Sequence, residues 1–321
     1  MIVIKTNNLS KLFRVYEKPA GLIGSLKSLF NNKFKDIHAV ENINLEVHEG
    51  EIVGFLGPNG AGKTTSIRLL TGLLQNEADN IFINGQSLKK QVPEVFREIG
   101  TLVETPSLYL HLSGYNNLKV LTSMRDLPDA DIDEVLELVD LLKVKNRKVK
   151  EYSLGMKQRM GIALALLSKP SLLILDEPVN GLDPNGMIEM RELLVRLNKE
   201  RNITIFISSH LLNEIEKMCT HIAFIHRGQL RFQGTLQELH SIAGNNRQVL
   251  FRVQEAALWK EKLSEQFQSV QIVQEQYLQF EVENDEEVIT LNQQLVKEAV
   301  PVLGIQSKAG LEEWFMQQMK K

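Results

Sequence analysis

Cysteine is almost absent from this sequence of 321 residues, because Cys219 is its single example. One cysteine excludes a disulfide within the chain and suits a reducing compartment. The sequence also lacks an apolar run near the roughly 18 residues that a membrane-spanning helix needs. Residues 1–5 have neither the charged start nor the cleavage site of a secretory signal. These absences predict a cytoplasmic protein that does not itself cross a membrane.

An excess of positive charge is missing too, since 37 basic side chains are set against 40 acidic ones and the net charge is −3. Proteins that bind nucleic acid by bulk electrostatics carry a basic patch or stripe, so no nucleic-acid partner is expected. Hydrophobic residues make up 43% of the chain, which is normal for a packed globular protein. The length allows one large α/β domain and a smaller one.

The most informative segment that is present is a loop with the pattern G-x-x-x-x-G-K-T, between an apolar segment at 52–56 and a helix start at 66–70. In this setting, glycines let backbone N–H groups surround a polyphosphate, and the helix N-terminus adds its positive end. Lys63 is expected to reach the β- and γ-phosphates of ATP, and Thr64 to ligate Mg²⁺. A glycine-rich turn without a ligand is the alternative, but spacing and flanking segments both favour a phosphate site. The predicted ATP-binding residues of the loop are Gly57, Pro58, Asn59, Gly60, Ala61, Gly62, Lys63, Thr64 and Thr65.

Three further side chains follow apolar segments that are typical of buried strands. Asp176 and Glu177 come directly after one such segment, at the strand end where α/β folds bind ligands. Asp176 is therefore a predicted Mg²⁺ ligand, and Glu177 a predicted general base for the attacking water. An ordinary Asp-Glu turn is the alternative. His210 follows the next apolar segment and is predicted to hydrogen-bond the γ-phosphate, although a strand-end histidine taken alone is more often structural.

Ser153 and Gly155 precede an apolar helix at 160–167. A Ser-Leu-Gly opening is typical of a helix N-cap. The same geometry would also present the Ser153 Oγ and the Gly155 N–H to a phosphate. The residues themselves leave both roles open.

The fold class predicted from these patterns is α/β, with a second, smaller α+β module. Uninterrupted apolar runs at 172–175 and 203–207 predict strands covered on both faces, as in a parallel sheet. Apolar spacing predicts mostly helix over 92–168. Shorter strands are predicted within 1–16 and 39–56 and at 81–85 and 222–225.

A break at 244–246 separates the predicted domains, 1–243 and 244–321. The order of elements after it is β-α-β-β-α-β, which predicts a ferredoxin-like module, followed by one more helix. The predicted elements are strand 248–253, helix 256–267, strand 269–273, strand 276–282, helix 286–297, strand 302–307 and a helix from 310.

The order of these motifs along roughly residues 1–240 resembles the ATP-binding subunit of an ABC transporter. The resemblance implies a P-loop NTPase with an ABC-type core sheet, an antiparallel β subdomain and a helical subdomain at about 92–168. It rests on the phosphate loop, the segment 153–158, the Asp-Glu pair after 172–175, the Gly-Leu-Asp at 181–183, and His210. Chromosome or repair clamps of the ABC type insert long coiled coils between phosphate loop and signature, and this interval has no sustained heptads.

The resemblance also implies that 152–156 is the signature motif, with Leu154 in place of a glycine and Met156 in place of a glutamine. Ser153 and Gly155 are retained, so their phosphate contacts are expected to be retained too. Two subunits would then pack head to tail, each signature covering the ATP of the other subunit. Asp183 would cross that interface. Phe13, or alternatively Tyr16, would stack on adenine, while core packing is the other role open to Phe13.

Glu104 occupies the place where the family usually has a glutamine. A glutamate offers only acceptors, and from this position it would reach Mg²⁺ or the attacking water. A glutamate at this position resembles the E-loop of transporters that confer self-protection against lantibiotics and related peptide antibiotics. The implied function is to power export of a peptide antibiotic, drug or lipid-like substrate through separate transmembrane permease subunits, at the cytoplasmic membrane face. The second ATPase subunit would be identical or different. An ATPase that moves a membrane partner without transporting solute is the alternative.

An insertion at 17–37 places apolar residues on one helical side and lysines on the other. It is expected to be a helix that packs on its own domain, or one that touches the membrane partner or lipid headgroups. The C-terminal domain is a candidate regulator of dimer opening.

Overall fold

The strands that the computed structural model describes in the N-terminal part of the chain form three sheets. In chain order they are β1 (Ile2–Thr6), β2 (Leu9–Tyr16), β3 (Phe34–Ile43), β4 (Glu46–His48), β5 (Ile52–Leu56), β6 (Ile81–Ile83), β7 (Gln86–Ser87), β8 (Ile99–Leu102), β9 (Leu172–Asp176), β10 (Thr204–Ser209), β11 (His221–His226) and β12 (Gln229–Thr235). The central sheet has six strands in the order β12-β11-β5-β10-β9-β8. From β11 to β8, neighbouring strands are parallel.

The structure describes residues 1–16, 34–76, 78–243, 247–264, 267, 270–282, 285–308, 311, 314, 315 and 318. These residues divide into two units, 1–234 and 235–321. The division falls before the break predicted at 244–246. Among the described residues, no helix is long and apolar enough to cross a membrane.

The parallel sheet is buried on both faces, as its apolar runs predict. Every residue of β5 and of β9 is buried. Because side chains alternate between the two faces of a strand, an unbroken apolar run fits a strand that has covering layers on both sides. This sheet aligns the C-terminal ends of β5, β9 and β10, and those ends carry the phosphate loop, Asp176 with Glu177, and His210.

The two smaller sheets of the first unit are antiparallel. One has the order β4-β1-β6-β7, and the other pairs β2 with β3. Phe34 to Ile37, the end of the predicted insertion, belong to β3 and not to a helix. The rest of that insertion, 17–33, lies outside the described residues.

The helices of the first unit lie between its strands along the chain. They are α1 (Lys63–Leu70), α2 (Gly114–Arg125), α3 (Ala130–Leu138), α4 (Leu154–Leu166), α5 (Pro184–Arg201) and α6 (Leu212–Met218), with short 3-10 helices at Glu94–Glu98, Leu142–Val144 and Val149–Glu151. The segment 92–168, predicted to be mostly helical, also contains β8, which joins the central sheet beside β9. Gly100 of β8 permits this packing, because a Cβ there would lie 2.5 Å from the Ala165 carbonyl oxygen of α4.

The second unit begins with one helix that the sequence analysis did not predict, and it then has the predicted element order β-α-β-β-α-β. Its elements are α7 (Leu236–Ala243), β13 (Arg247–Val253), α8 (Ala256–Leu263), β14 (Gln271–Val273), β15 (Tyr277–Val282), α9 (Asp285–Lys297) and β16 (Val302–Lys308). The sheet order is β14-β15-β13-β16, and all neighbours are antiparallel. Phe251 and Phe280 meet edge to face in its core, with ring centroids 5.7 Å apart. The predicted helix from 310 lies largely outside the described residues.

Candidate active site

The phosphate loop connects β5 to α1 and is shaped by glycines. Gly60 and Gly62 have φ of 79° and 109°, values that favour glycine over other residues. A Cβ on Gly62 would lie 2.4 Å from the Ala39 carbonyl oxygen, and a Cβ on Gly57 would lie 2.4 Å from the Ile225 carbonyl oxygen. The loop therefore packs closely against β3 and β11, and its backbone continues directly into the N-terminus of α1.

Lys63 is the first residue of α1, and its side chain is only 5% exposed. Its Nζ donates hydrogen bonds to the carbonyl oxygens of Gly57 at 2.7 Å and Pro58 at 3.3 Å. The same Nζ lies 3.3 Å from Glu177 Oε1. The lysine therefore connects the phosphate loop with the carboxylate that follows β9.

Glu177 is the centre of this arrangement. Its Oε2 lies 2.8 Å from His210 Nδ1, so the carboxylate is held between the histidine and Lys63. The backbone of Glu177 is left-handed, with φ of 48°. The parallel register of β9 and β10 brings these two strand ends together, although Glu177 and His210 are far apart along the chain.

Ser208 links the two carboxylate residues, and the sequence analysis did not assign it a role. Its Oγ donates to Asp176 Oδ1 at 2.5 Å and accepts from the Glu177 backbone N–H at 2.9 Å. Ser208 is fully buried, and Asp176 is 5% exposed. A serine two positions before the strand-end histidine was the available signal, but only the pairing of β10 with β9 reveals its partners.

A cavity of about 490 Å³ contains most of the predicted phosphate and hydrolytic residues. Gly57, Pro58 and Ala61 of the predicted loop do not line it, and Ala61 is buried at 3% exposure. Asn180 and Arg227 line it although the sequence analysis missed them. The lining residues are Ile37, His38, Ala39, Asn59, Gly60, Gly62, Lys63, Thr64, Thr65, Glu177, Asn180, His210 and Arg227.

Phe13 lies beside the cavity and does not line it. It pairs across the β2–β3 ribbon with Ile37, which does line the cavity, and it is 37% exposed. Lys11 Nζ is 6.0 Å from the centroid of the Phe13 ring. A half-exposed ring on the same ribbon face as Ile37 is consistent with stacking on a base, and it is not packed in the core. The side chain of Tyr16 lies outside the described residues.

Glu104 does not join the predicted metal and ATP residues in this structure. It is absent from the cavity lining, its side chain is 59% exposed, and it forms an ion pair with Arg68 of α1. Its backbone is left-handed, with φ of 66°. The contact with Arg68 was invisible in the sequence because the two residues belong to different elements.

The signature residues and Asp183 lie at two helix N-termini. Ser153 Oγ accepts from the Met156 N–H at 3.2 Å and caps α4, which confirms the N-cap interpretation. Asp183 Oδ1 accepts from the Gly186 N–H at 2.8 Å and caps α5. Leu154 is 44% exposed. The cavity lining contains none of Ser153, Leu154, Gly155, Met156 and Asp183.

Oxygen donors suited to a hard cation are present at the phosphate loop and at the end of β9. Thr64 lines the cavity and carries a hydroxyl. Asp176 ends the buried strand β9, does not itself line the cavity, and has one carboxylate oxygen bonded to Ser208. Among the described residues there is no cluster of three or more histidine, cysteine, aspartate or glutamate side chains that would enclose a metal. Mg²⁺ commonly takes one or two protein oxygens together with phosphate oxygens and water, and this donor set fits it.

Comparison with known proteins identifies the family. The family model described as "ABC transporter" matches residues 40–180. The bacitracin transport ATP-binding protein BcrA of Bacillus licheniformis is 47% identical over 229 residues, which cover 71% of this chain and 68% of that protein. The lantibiotic transport ATP-binding protein SrtF of Streptococcus pyogenes is 41% identical over 218 residues, covering 66% of this chain and 91% of that protein.

Solved structures agree on the fold. CbiO1 from Clostridium perfringens, part of the ABC transporter complex cbiONQ, has a TM-score of 0.62 at 26% identity and covers 75% of this chain and 91% of its own. The ATP-binding cassette MJ0796, in a dimeric post-hydrolysis state bound to ADP and Pi, has a TM-score of 0.60 at 23% identity. That match covers 73% of this chain and 98% of MJ0796. The central parallel sheet agrees with these matches, and the chain belongs to the ABC transporter family as one of its ATP-hydrolysing, ATP-binding proteins.

Proposed function

We propose that this chain binds ATP with Mg²⁺ in the cavity beside Lys63 and hydrolyses it to power export of a peptide antibiotic through separate membrane permease subunits. The observation that carries the proposal is the Glu177 carboxylate, held 3.3 Å from Lys63 Nζ and 2.8 Å from His210 Nδ1 at the cavity wall. The bacitracin and lantibiotic transport proteins among the relatives support the cargo class. Work with a permease implies a position at the cytoplasmic membrane face.

The residues of the chain divide the chemistry of hydrolysis among them. Lys63 exchanges its carbonyl partners in the loop for phosphate oxygens and neutralises their charge. Glu177 accepts a proton from the attacking water. His210 holds Glu177 through Nδ1–H and, with a proton on both ring nitrogens, donates to the γ-phosphate through Nε2–H. Thr64 and Asp176 would hold Mg²⁺, which supplies positive charge to the phosphates when it is bound. Ser208 fixes Asp176 and the Glu177 backbone in place.

We extend the proposal to a dimer in which Ser153 and Gly155 of one subunit face the ATP of the other. The cavity wall of a single chain leaves out the whole signature, which is the support that this structure offers. ATP would bind the closed dimer better than the open one and so shift the population toward closure. Hydrolysis would then reopen the pair and move the permease.

Two substitutions test the hydrolytic site. Lys63→Ala is expected to lose ATP binding and turnover, since the cavity loses the cation that is bonded to the loop carbonyls. Glu177→Gln is expected to keep ATP binding but to lower kcat about 10²–10⁴-fold and to accumulate dimers on size exclusion, because an amide does not accept the proton. Lys199→Ala, at an exposed position in the last turn of α5, is the matched control. Full activity of either site variant would disprove the proposal.

The cargo needs a separate test on the complex purified with its permease. Bacitracin and lantibiotic peptides are expected to stimulate ATP hydrolysis, and unrelated peptides of the same charge are not. Equal turnover with and without peptide, in a complex that still hydrolyses ATP, would favour force transmission without solute transport.

A further inference from the structure

Arg227 occupies a two-residue turn between β11 and β12 and lines the ATP cavity. Its φ is 48°, and that of Gly228 is 78°. Two consecutive left-handed residues form the tight hairpin turn for which Asn-Gly and Gly-Gly are the favoured sequences. A long arginine therefore stands at a position where local backbone preference calls for a small residue.

The turn is attached to two other walls of the same cavity. The Gly228 N–H donates to the Ala61 carbonyl oxygen of the phosphate loop at 2.8 Å, and the Gly228 carbonyl oxygen accepts from the Glu41 N–H of β3 at 2.8 Å. A Cβ on Gly228 would lie 3.0 Å from the Ala39 carbonyl oxygen, so the backbones are in close contact. The backbone of the turn that carries Arg227 is consequently fixed relative to the phosphate loop and to β3, which supplies Ile37, His38 and Ala39.

Strand order determines which end of a nucleotide Arg227 meets. The phosphate loop follows β5, Arg227 follows β11 on one side of β5, and His210 and Glu177 follow β10 and β9 on the other side. Neighbouring strands are about 4.8 Å apart, so β11 and β9 are separated by roughly 14 Å. Arg227 thus lies away from the hydrolytic carboxylate, on the side of the loop where β3 forms the wall.

Among the described residues, the structure gives the Arg227 guanidinium no hydrogen bond or ion pair. An arginine side chain presents five N–H donors that match phosphate oxygens. We propose that Arg227 is a further nucleotide-binding residue, which contacts the α-phosphate end of the bound nucleotide. This inference rests on the proposed binding of ATP in the cavity, and it adds a cation that the phosphate loop does not supply.

Affinity for ATP and for ADP, measured by isothermal titration on the full chain, tests the proposal. Arg227→Asn removes the charge and suits the turn better than arginine, so hairpin damage does not explain a loss. Both dissociation constants are expected to rise about tenfold, as for one lost charge-assisted hydrogen bond. At saturating ATP, kcat is expected to stay at the parent value while KM rises, because ground state and transition state lose the contact equally.

Arg231→Asn is the matched control, since Arg231 is an exposed arginine on β12 outside the cavity lining. It is expected to bind both nucleotides like the parent, and Arg227→Lys is expected to recover part of the lost affinity. Unchanged affinity in Arg227→Asn, a loss restricted to ATP, or a fall in kcat at saturation would each overturn the assignment. A parent protein that bound no nucleotide would instead refute the proposed function.

Discussion

Replacing Ser208 by alanine removes one hydroxyl that holds both carboxylate residues of the site. Its Oγ donates to Asp176 Oδ1 at 2.5 Å and accepts from the Glu177 N–H at 2.9 Å, and the side chain is fully buried. The left-handed Glu177, with φ of 48°, depends on this bond because its conformation is unfavourable for a residue other than glycine. Alanine leaves the space nearly filled but satisfies neither partner.

The expected loss of stability in Ser208→Ala follows from the two lost hydrogen bonds. A hydrogen bond to a charged carboxylate contributes about 1.5–3 kcal/mol, and one between neutral groups about 1 kcal/mol. We therefore expect Ser208→Ala to lower the free energy of unfolding by about 2–4 kcal/mol. Misplacement of Glu177 is expected to lower kcat by about 10- to 100-fold. Affinity for ATP without Mg²⁺ should change little, since the two lost bonds involve Asp176 and Glu177 rather than the phosphate loop.

Urea unfolding followed by circular dichroism measures the free energy of unfolding, and steady-state ATP hydrolysis measures kcat. Ser209→Ala is the stability control, because Ser209 is equally buried on the same strand and its Oγ accepts from the neutral Leu211 N–H, at 2.9 Å, instead of bonding a carboxylate. That variant is expected to lose about 1 kcal/mol. If both variants lost the same small amount, and Ser208→Ala kept its kcat, the network would have no role in holding the carboxylates.

Three other outcomes are expected. Gly62→Ala should destabilise the chain by roughly 3–4 kcal/mol because its Cβ would meet the Ala39 oxygen at 2.4 Å, whereas Gly60→Ala, with nothing within 4 Å, should cost about 1–2 kcal/mol in urea unfolding. Burial raises the pKa of the Cys219 thiol, so unfolding releases its proton above about pH 9. In that range the free energy of unfolding should fall by up to ~1.4 kcal/mol for each pH unit, and in Cys219→Ala this fall should be absent. Ser153→Asp should keep its stability within about 0.5 kcal/mol but lose ATP-dependent dimerisation on size exclusion.

Features set by short stretches of sequence were predictable. The unbroken apolar runs at 172–175 and 203–207 indicated parallel strands, and the phosphate loop carried its own flanking strand and helix start. The fold class is confirmed because these signals need no distant partner. In the second unit, the order of elements in the structure matches the order that alternation and helical spacing predicted.

Features that depend on distant contacts were not predictable. β8 is a four-residue strand inside a helical region, and its place in the sheet depends on packing of Gly100 beneath α4. Ser208 meets its partners only through the register of β10 with β9. Arg227 reaches the cavity wall only through the hairpin turn. Glu104 was predicted to be a metal and ATP residue, yet it pairs with Arg68, a residue 36 positions away.

The cap at Ser153 leaves room for the second role that we propose for this serine, a contact with the ATP of another subunit. A hydroxyl has two acceptor lone pairs and one donor hydrogen, and the cap uses an acceptor at the Met156 N–H. The donor hydrogen is left for an anion, so one side chain can cap its own helix and bind the ATP of another subunit. Aspartate caps a helix equally well but offers only negative charge. Loss of dimerisation in Ser153→Asp without loss of stability would therefore separate the two roles, whereas ATP-dependent dimers of that variant would show that the cap alone requires the serine.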